Sequence, residues 1–254
     1  MSLRIEKAGH AITTLDEWFQ HAPPRQGMLQ WQEGRSALEL ARSFLEGGVP
    51  AAPRELLDLL ASSPLGPVEL SVGFAELEIP LDDFRGGTRS ADLALVGTGR
   101  DGRVAINVEA KTDEPFGTTI GGALAAGRAN PRSRLSERVA GLAMAMFGHE
   151  RSEIHGLRYQ LLYATAASLV FAREHSAAAA VFVVLELLGP SCVQEDVARN
   201  EADLDAFLRT LAPGTSPLLP GALAGPFLVP GGQFVPSGIP LFIGKAVRSL
   251  TATQ

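Results

Sequence analysis

The chain has 254 residues, enough to bury a sizeable core as one large domain or two small ones. Its composition, 46% hydrophobic and 20% charged, is that of a folded soluble protein, and a net charge of −6 argues against a broad nucleic-acid-coating surface while leaving room for a local basic groove. Cys192 is the one cysteine, which excludes an internal disulfide framework and points to a reducing cytoplasm.

In chain order, the opening "MSLRIEKAGHAITTLDEWF" lacks an apolar run of signal-peptide length. Residues 28–46 place Trp31, Leu38, Ala41 and Leu45 at helical spacing, and Pro53 opens a second short helix over 53–62. A β-like pattern covers 68–81, broken at Pro80, and the turn-rich segment 82–91 leads to a strand at 92–97. The Asp-Gly loop at 98–102 and the Val- and Ile-rich strand at 103–111 complete a three-stranded meander. Residues 112–122 read as a loop entering a helix, and 133–148 and 156–175 as two helices. Valines and Phe182 make 177–189 a buried strand, and 200–214 reads as a helix ending at Pro213.

Beyond that point six prolines, from Pro217 to Pro240, suit loops and short edge strands such as 240–247. The most apolar stretch, Leu161 to Leu188, is interrupted by Arg173, Glu174 and His175, so neither half spans a bilayer. With no repeat and no obvious linker, the expectation is a single α/β domain: a core over about 28–210 and a Pro/Gly-rich C-terminal extension over 211–254.

Two chemistries compete for the stretch from Arg89 to Lys111. Gly97, Gly99 and Gly102 match the G-x-G-x-x-G nucleotide fingerprint letter for letter. That fingerprint needs a helix directly after the glycines, because phosphate sits on the helix N-terminus. Here "RVAINVEAK" follows, a strand, so a hairpin loop explains the glycines better. The second reading rests on acids. Glu109 and Lys111, two apart on a strand, project from one face with Ala105 and Asn107, while Val104, Ile106 and Val108 fill the other. Pairing through the 98–102 loop places Asp92 opposite Val108 to Glu109. Two carboxylates and a lysine then converge at the polar end of a hairpin, where a cleft could form. Such oxygens suit a hard divalent cation, and a neighbouring ammonium can hold a water or a phosphate oxygen. The plain alternative is a solvated ion pair of small energetic consequence.

Asp92, sixteen residues, then Glu109-Ala110-Lys111 resembles the PD-(D/E)xK restriction-endonuclease-like superfamily, with the meander and helices in the same order. The resemblance implies a mixed central sheet with an antiparallel three-stranded meander flanked by helices. It implies that Asp92 and Glu109 bind Mg²⁺ or Mn²⁺ and that Lys111 assists the attacking water. Ala91 stands where the family's motif has proline. An acid on the first core helix often completes the metal shell in that superfamily; Glu39 is the candidate, Glu33 second, with Glu76 and Glu78 as outsiders. Gln160 and Tyr163 match polar positions that some relatives carry on the helix after the meander, and Arg158, Gln160 and Arg35 are candidate substrate-binding residues, Arg158 as a phosphate clamp. "WQEGRSALELA", "VEAKTDEPFG" and "LRYQLLYATA" together look like an uncharacterised bacterial family within the superfamily.

Other signals are weaker. Arg128, Arg132, Arg134 and Arg138 cluster within eleven residues, a basic patch without interleaved aromatics. Asp113 and Glu114 read as loop-shaping residues, and the five histidines show no ligand spacing. The expectation is a Mg²⁺-dependent nuclease acting on nucleic acid, with DNA the expected substrate, cytoplasmic, not membrane-bound, and compatible with a homodimer. Its rival is a non-catalytic binding or regulatory protein on the same fold.

Overall fold

A computed structural model describes residues 2–84, 89–130 and 132–250. The elements are β1 (Arg4–Lys7), β2 (His10–Ala11), α1 (Leu15–His21), α2 (Ser36–Leu45), α3 (Arg54–Ala61), β3 (Glu69–Ile79), β4 (Arg89–Gly99) and β5 (Gly102–Lys111). They continue with α4 (Ile120–Ala129), α5 (Leu135–Phe147), α6 (Tyr159–Glu174), β6 (Ala179–Leu188), α7 (Gln194–Leu211), β7 (Ala222–Phe227) and β8 (Leu241–Ser249). The strands form one mixed eight-stranded sheet in the order β2-β1-β3-β4-β5-β6-β8-β7. β3, β4 and β5 are the antiparallel meander, and β5, β6 and β8 run parallel.

The glycine-rich loop is a hairpin, as its sequence implies. Gly99 pairs with Gly102 across a two-residue turn, and Gly102 takes φ 122°, which a side chain would strain. Gly97 serves packing: a Cβ there would stand 2.7 Å from Val68 and 2.8 Å from the Glu69 carbonyl oxygen.

Alternation along β5 divides the core into two. Val104, Ile106, Val108 and Ala110 pack with Trp18 of α1, Phe44 of α2 and Leu56 and Leu60 of α3. Ala105 packs on the opposite face with Leu162 and Ala166 of α6 and Leu142 of α5. The helices therefore cover both faces, which is why β6 is buried along nearly its whole length.

Several boundaries differ from expectation. The helix expected over 28–46 begins at Ser36, because Gly34 takes φ 75° and a short 3₁₀ turn occupies Gly27–Leu29. α7 starts at Gln194, six residues before the expected helix at 200–214. The segment at 240–247 is no edge strand: β8 lies between β6 and β7, buried from Leu241 to Ala246. The 211–254 extension thus contributes two strands to the sheet. β1, β2 and α1 also belong to the fold, with Ile5, Ile12 and Trp18 buried, although the core was expected to start near residue 28. α1 is announced by a capping box, in which Thr14 accepts from the Glu17 amide and Glu17 bonds back. Part of the expected turn at 82–91, namely 85–88, lies outside the described residues. Among the described residues no helix is long and apolar enough to cross a membrane.

Candidate active site

Asn107, Glu109 and Lys111 alternate onto the α6 face of β5. Instead of the cleft rim that their polarity suggested, this end of the strand is buried: the Glu109 and Lys111 side chains are 4% and 8% exposed. The reason is α6, buried from Leu161 to Ala172 except at Tyr163, which lies across the sheet and presents Gln160 of its first turn to the acids. Lys111 Nζ donates to Glu109 Oε1 at 2.9 Å and to Gln160 Oε1 at 3.3 Å, and Gln160 Nε2 donates to the same Glu109 oxygen at 2.6 Å. The ammonium also stands 5.2 Å from the centre of the Phe116 ring.

Leu93 pairs with Val108, so Asp92 falls beside Glu109 as the loop-centred pairing implied. Its Oδ2 accepts the Ala110 amide at 2.9 Å, across the gap between β4 and β5. A third carboxylate joins them from β3. Ala75 pairs with Leu93 and Leu77 with Ala91, which leaves Glu76 at the level of Asp92. Glu76 takes φ 47°, a conformation that costs a non-glycine residue about 1–3 kcal/mol. Lys7 donates to its backbone carbonyl, and Ser90 hydrogen-bonds its carboxylate.

Electrostatics follow from gathering three acids, Glu109 buried and Asp92 and Glu76 half-buried, around the buried Lys111, with Lys7 beside Glu76. Burial, then Glu109 and Glu76, hold the Asp92 carboxyl well above the usual carboxylate range. Burial lifts Glu76 to about 7; Ser90 and Lys7 oppose the lift and Glu109 adds to it. Burial pulls the Lys111 ammonium downward, yet Glu109 and Asp92 outweigh it and its net shift is upward. Lys111 is therefore a fixed cation, suited to stabilising negative charge and unsuited to taking a proton.

The remaining expected site residues lie elsewhere. Glu39 is buried, but its helix α2 packs on the opposite face of the sheet. Its carboxylate accepts from the Gly34 amide at 2.9 Å and from Arg42 at 3.0 Å, and it lines a separate cavity of about 440 Å³ with Arg42, Ser43 and Arg248. Arg158 bonds Asp203 of α7 and the Gly117 carbonyl, each at 2.8 Å. Arg35 is exposed at the N-cap of α2. Of the basic cluster, Arg138 is paired with Asp82 and Arg134 with Glu137.

Glu114 shapes the loop after β5. One oxygen accepts from the Thr112 amide and hydroxyl, the other from Ser36 at the start of α2, and burial is outweighed so that its pKa falls. Among the described residues no three Asp, Glu, His or Cys side chains form a ready-made ion cage. The cluster is a pair of facing strands with a third acid and one cation, not a closed coordination shell.

A family model covers residues 11–249, nearly all of the chain. The chain belongs to the DUF6946 family. Its description is a domain of unknown function, so membership supplies no substrate. No curated protein and no solved structure matches this DUF6946 chain.

Glu76 ranks as an outsider in the sequence because no local pattern encodes the β3–β4 register across the residues that join the two strands. Asn107 and Ser90 carried no motif signal; their significance lies in what they face.

Proposed function

We propose that the protein is a Mg²⁺- or Mn²⁺-dependent nuclease of the PD-(D/E)xK type, hydrolysing phosphodiester bonds in nucleic acid, DNA in the first instance. One observation carries the reading: the carboxyls of Asp92, Glu76 and Glu109 gather beside Lys111, Glu109 buried and the other two half-buried, and a divalent ion would relieve the burial and mutual repulsion that raise Asp92 and Glu76.

The residues present fit such an ion. Mg²⁺ takes one or two protein carboxylates and completes its shell with water and substrate phosphate, so a closed protein cage is not required. Asp92 and Glu109 would hold it, with Glu76 as the third acid in place of Glu39. When bound, the ion supplies a polarised phosphoryl group and a more acidic water. Lys111 keeps its charge beside Glu109 and offsets the negative charge that develops as the bond breaks. Gln160 fixes both Glu109 and Lys111 through a single amide. Arg35, exposed at the N-cap of α2 beside the Ser36–Glu114 contact, would meet a phosphate backbone.

The rival, a non-catalytic binding protein, draws on a different observation. Arg158 and Arg138, two of the arginines suited to phosphate, are committed to Asp203 and Asp82. Incubating supercoiled plasmid with the protein and Mn²⁺ separates the two. The nuclease reading expects nicking that is lost in Asp92→Asn and reduced at least 100-fold in Lys111→Ala. Wild type that leaves plasmid and RNA intact while binding Mn²⁺ favours the rival.

A further inference from the structure

Asn107 stands two residues before Glu109 on the same face of β5, in register with Ala94 of β4 and Phe182 of β6. It is 2% exposed, and neither its Nδ2 nor its Oδ1 has a hydrogen-bonding partner among the described residues. A buried amide in mid-sheet with both its donor and acceptor unpaired is rare, because each group gives up its hydration for nothing. The side chain lines a cavity with Ser90, Glu109, Tyr163, Ala164 and Phe182, in which the centre of a water molecule has about 10 Å³ to occupy. That is room for one water and no more.

We propose that this cavity binds one long-lived water, held by Asn107 and shared with Glu109 and Ser90, and that Asn107 is through it a positioning residue for the acid cluster. The chemistry of the walls selects the ligand. Asn107 offers a donor and an acceptor side by side and no charge, which suits a molecule that is itself both. Alanine and phenylalanine close the remainder, so a larger polar ligand finds neither space nor partners. The position gives the water its consequence. Both Lys111 and Gln160 bond the same oxygen of Glu109, Oε1, and neither bonds its Oε2. A water on the Asn107 side reaches the carboxylate as well, and Ser90 links that side to Glu76. The water site stands on the cavity and the amide alone; its bearing on metal affinity rests on the nuclease reading.

The test uses the full chain, ¹⁵N-labelled, with the Asn107 side-chain amide assigned by its loss in Asn107→Leu, or in Asn107→Ala should leucine not be accommodated. Water-selective NOESY and ROESY spectra are expected to show water contacts of opposite sign at this amide, the signature of a long-lived bound molecule. Amide protons without such contacts overturn the water site. Manganese titration reads the second half: the variant, with wild-type circular dichroism, is expected to bind Mn²⁺ about tenfold more weakly. Unchanged affinity overturns the positioning role. Wild type that binds no Mn²⁺ refutes the metal reading instead, and the water contacts then decide the site by themselves.

Discussion

Lys111 and Glu109 are a buried pair whose partners cannot be removed singly without leaving a charge stranded. Truncating Lys111 to methionine keeps the volume but leaves Glu109 anionic beside Asp92, a loss of roughly 3–5 kcal/mol in urea unfolding. Removing both charges, as Lys111→Met with Glu109→Gln, should recover most of that loss. A neutral single mutant would show that the pair carries no such energy. Glu76 gives a pH-dependent prediction. Its folded pKa, about 7, lies above its ordinary 4.5. Its contribution to stability is therefore complete below about pH 4.5 and lost as pH rises through 7. Glu76→Gln escapes that loss, so in metal-free buffer it should be the more stable protein above pH 7, by up to about 3 kcal/mol, with the advantage vanishing near pH 4.5. Equal melting temperatures at pH 8 would contradict it. The αL backbone at Glu76 is a strain that the proposed site would account for.

At the scale of elements, the meander was the most legible part of the chain, and for a physical reason. The β4–β5 hairpin is local: its turn residues and alternating apolar positions lie within some twenty residues, so the sequence fixes its register. From that register Asp92, Glu109 and Lys111 are placed together, whereas Gln160, on α6, enters only through the family resemblance. The place of β8 is not legible because its pairing with β6 spans more than fifty residues and the prolines that precede it, Pro236 and Pro240, mimic an edge. The Glu39 expectation failed likewise, since an acid on a helix says nothing about which face of the sheet the helix covers. β8 yields a test of its own. A chain ended at Pro220 loses β7 and β8, exposing Val181, Val183 and Leu185 along β6. It should express as an aggregating or molten species without near-ultraviolet dichroism. A cooperative thermal transition from that truncation would restore the view of 211–254 as an appendage.

For the whole molecule, net charge and site pull in opposite directions. The chain is acidic overall, and α7, which packs beside the site through the Arg158–Asp203 pair, carries Glu195, Asp196, Glu201, Asp203 and Asp205. A polyanion would meet repulsion there, so binding to nucleic acid should depend on the divalent ion and not on a basic surface. Lys245, buried and paired with Glu201 at 2.6 Å, offers no free charge to counter it. The central claim is consequently about the ion. The measurement that tests it most directly is calorimetric titration of Mn²⁺ into wild type and Asp92→Ala at pH 6 and pH 8. The account predicts one site in wild type, tighter at pH 8 because the raised carboxyls must release protons to bind, and no site in the variant. A wild type that takes up no Mn²⁺ at millimolar concentration, or a variant that binds as well, would contradict it.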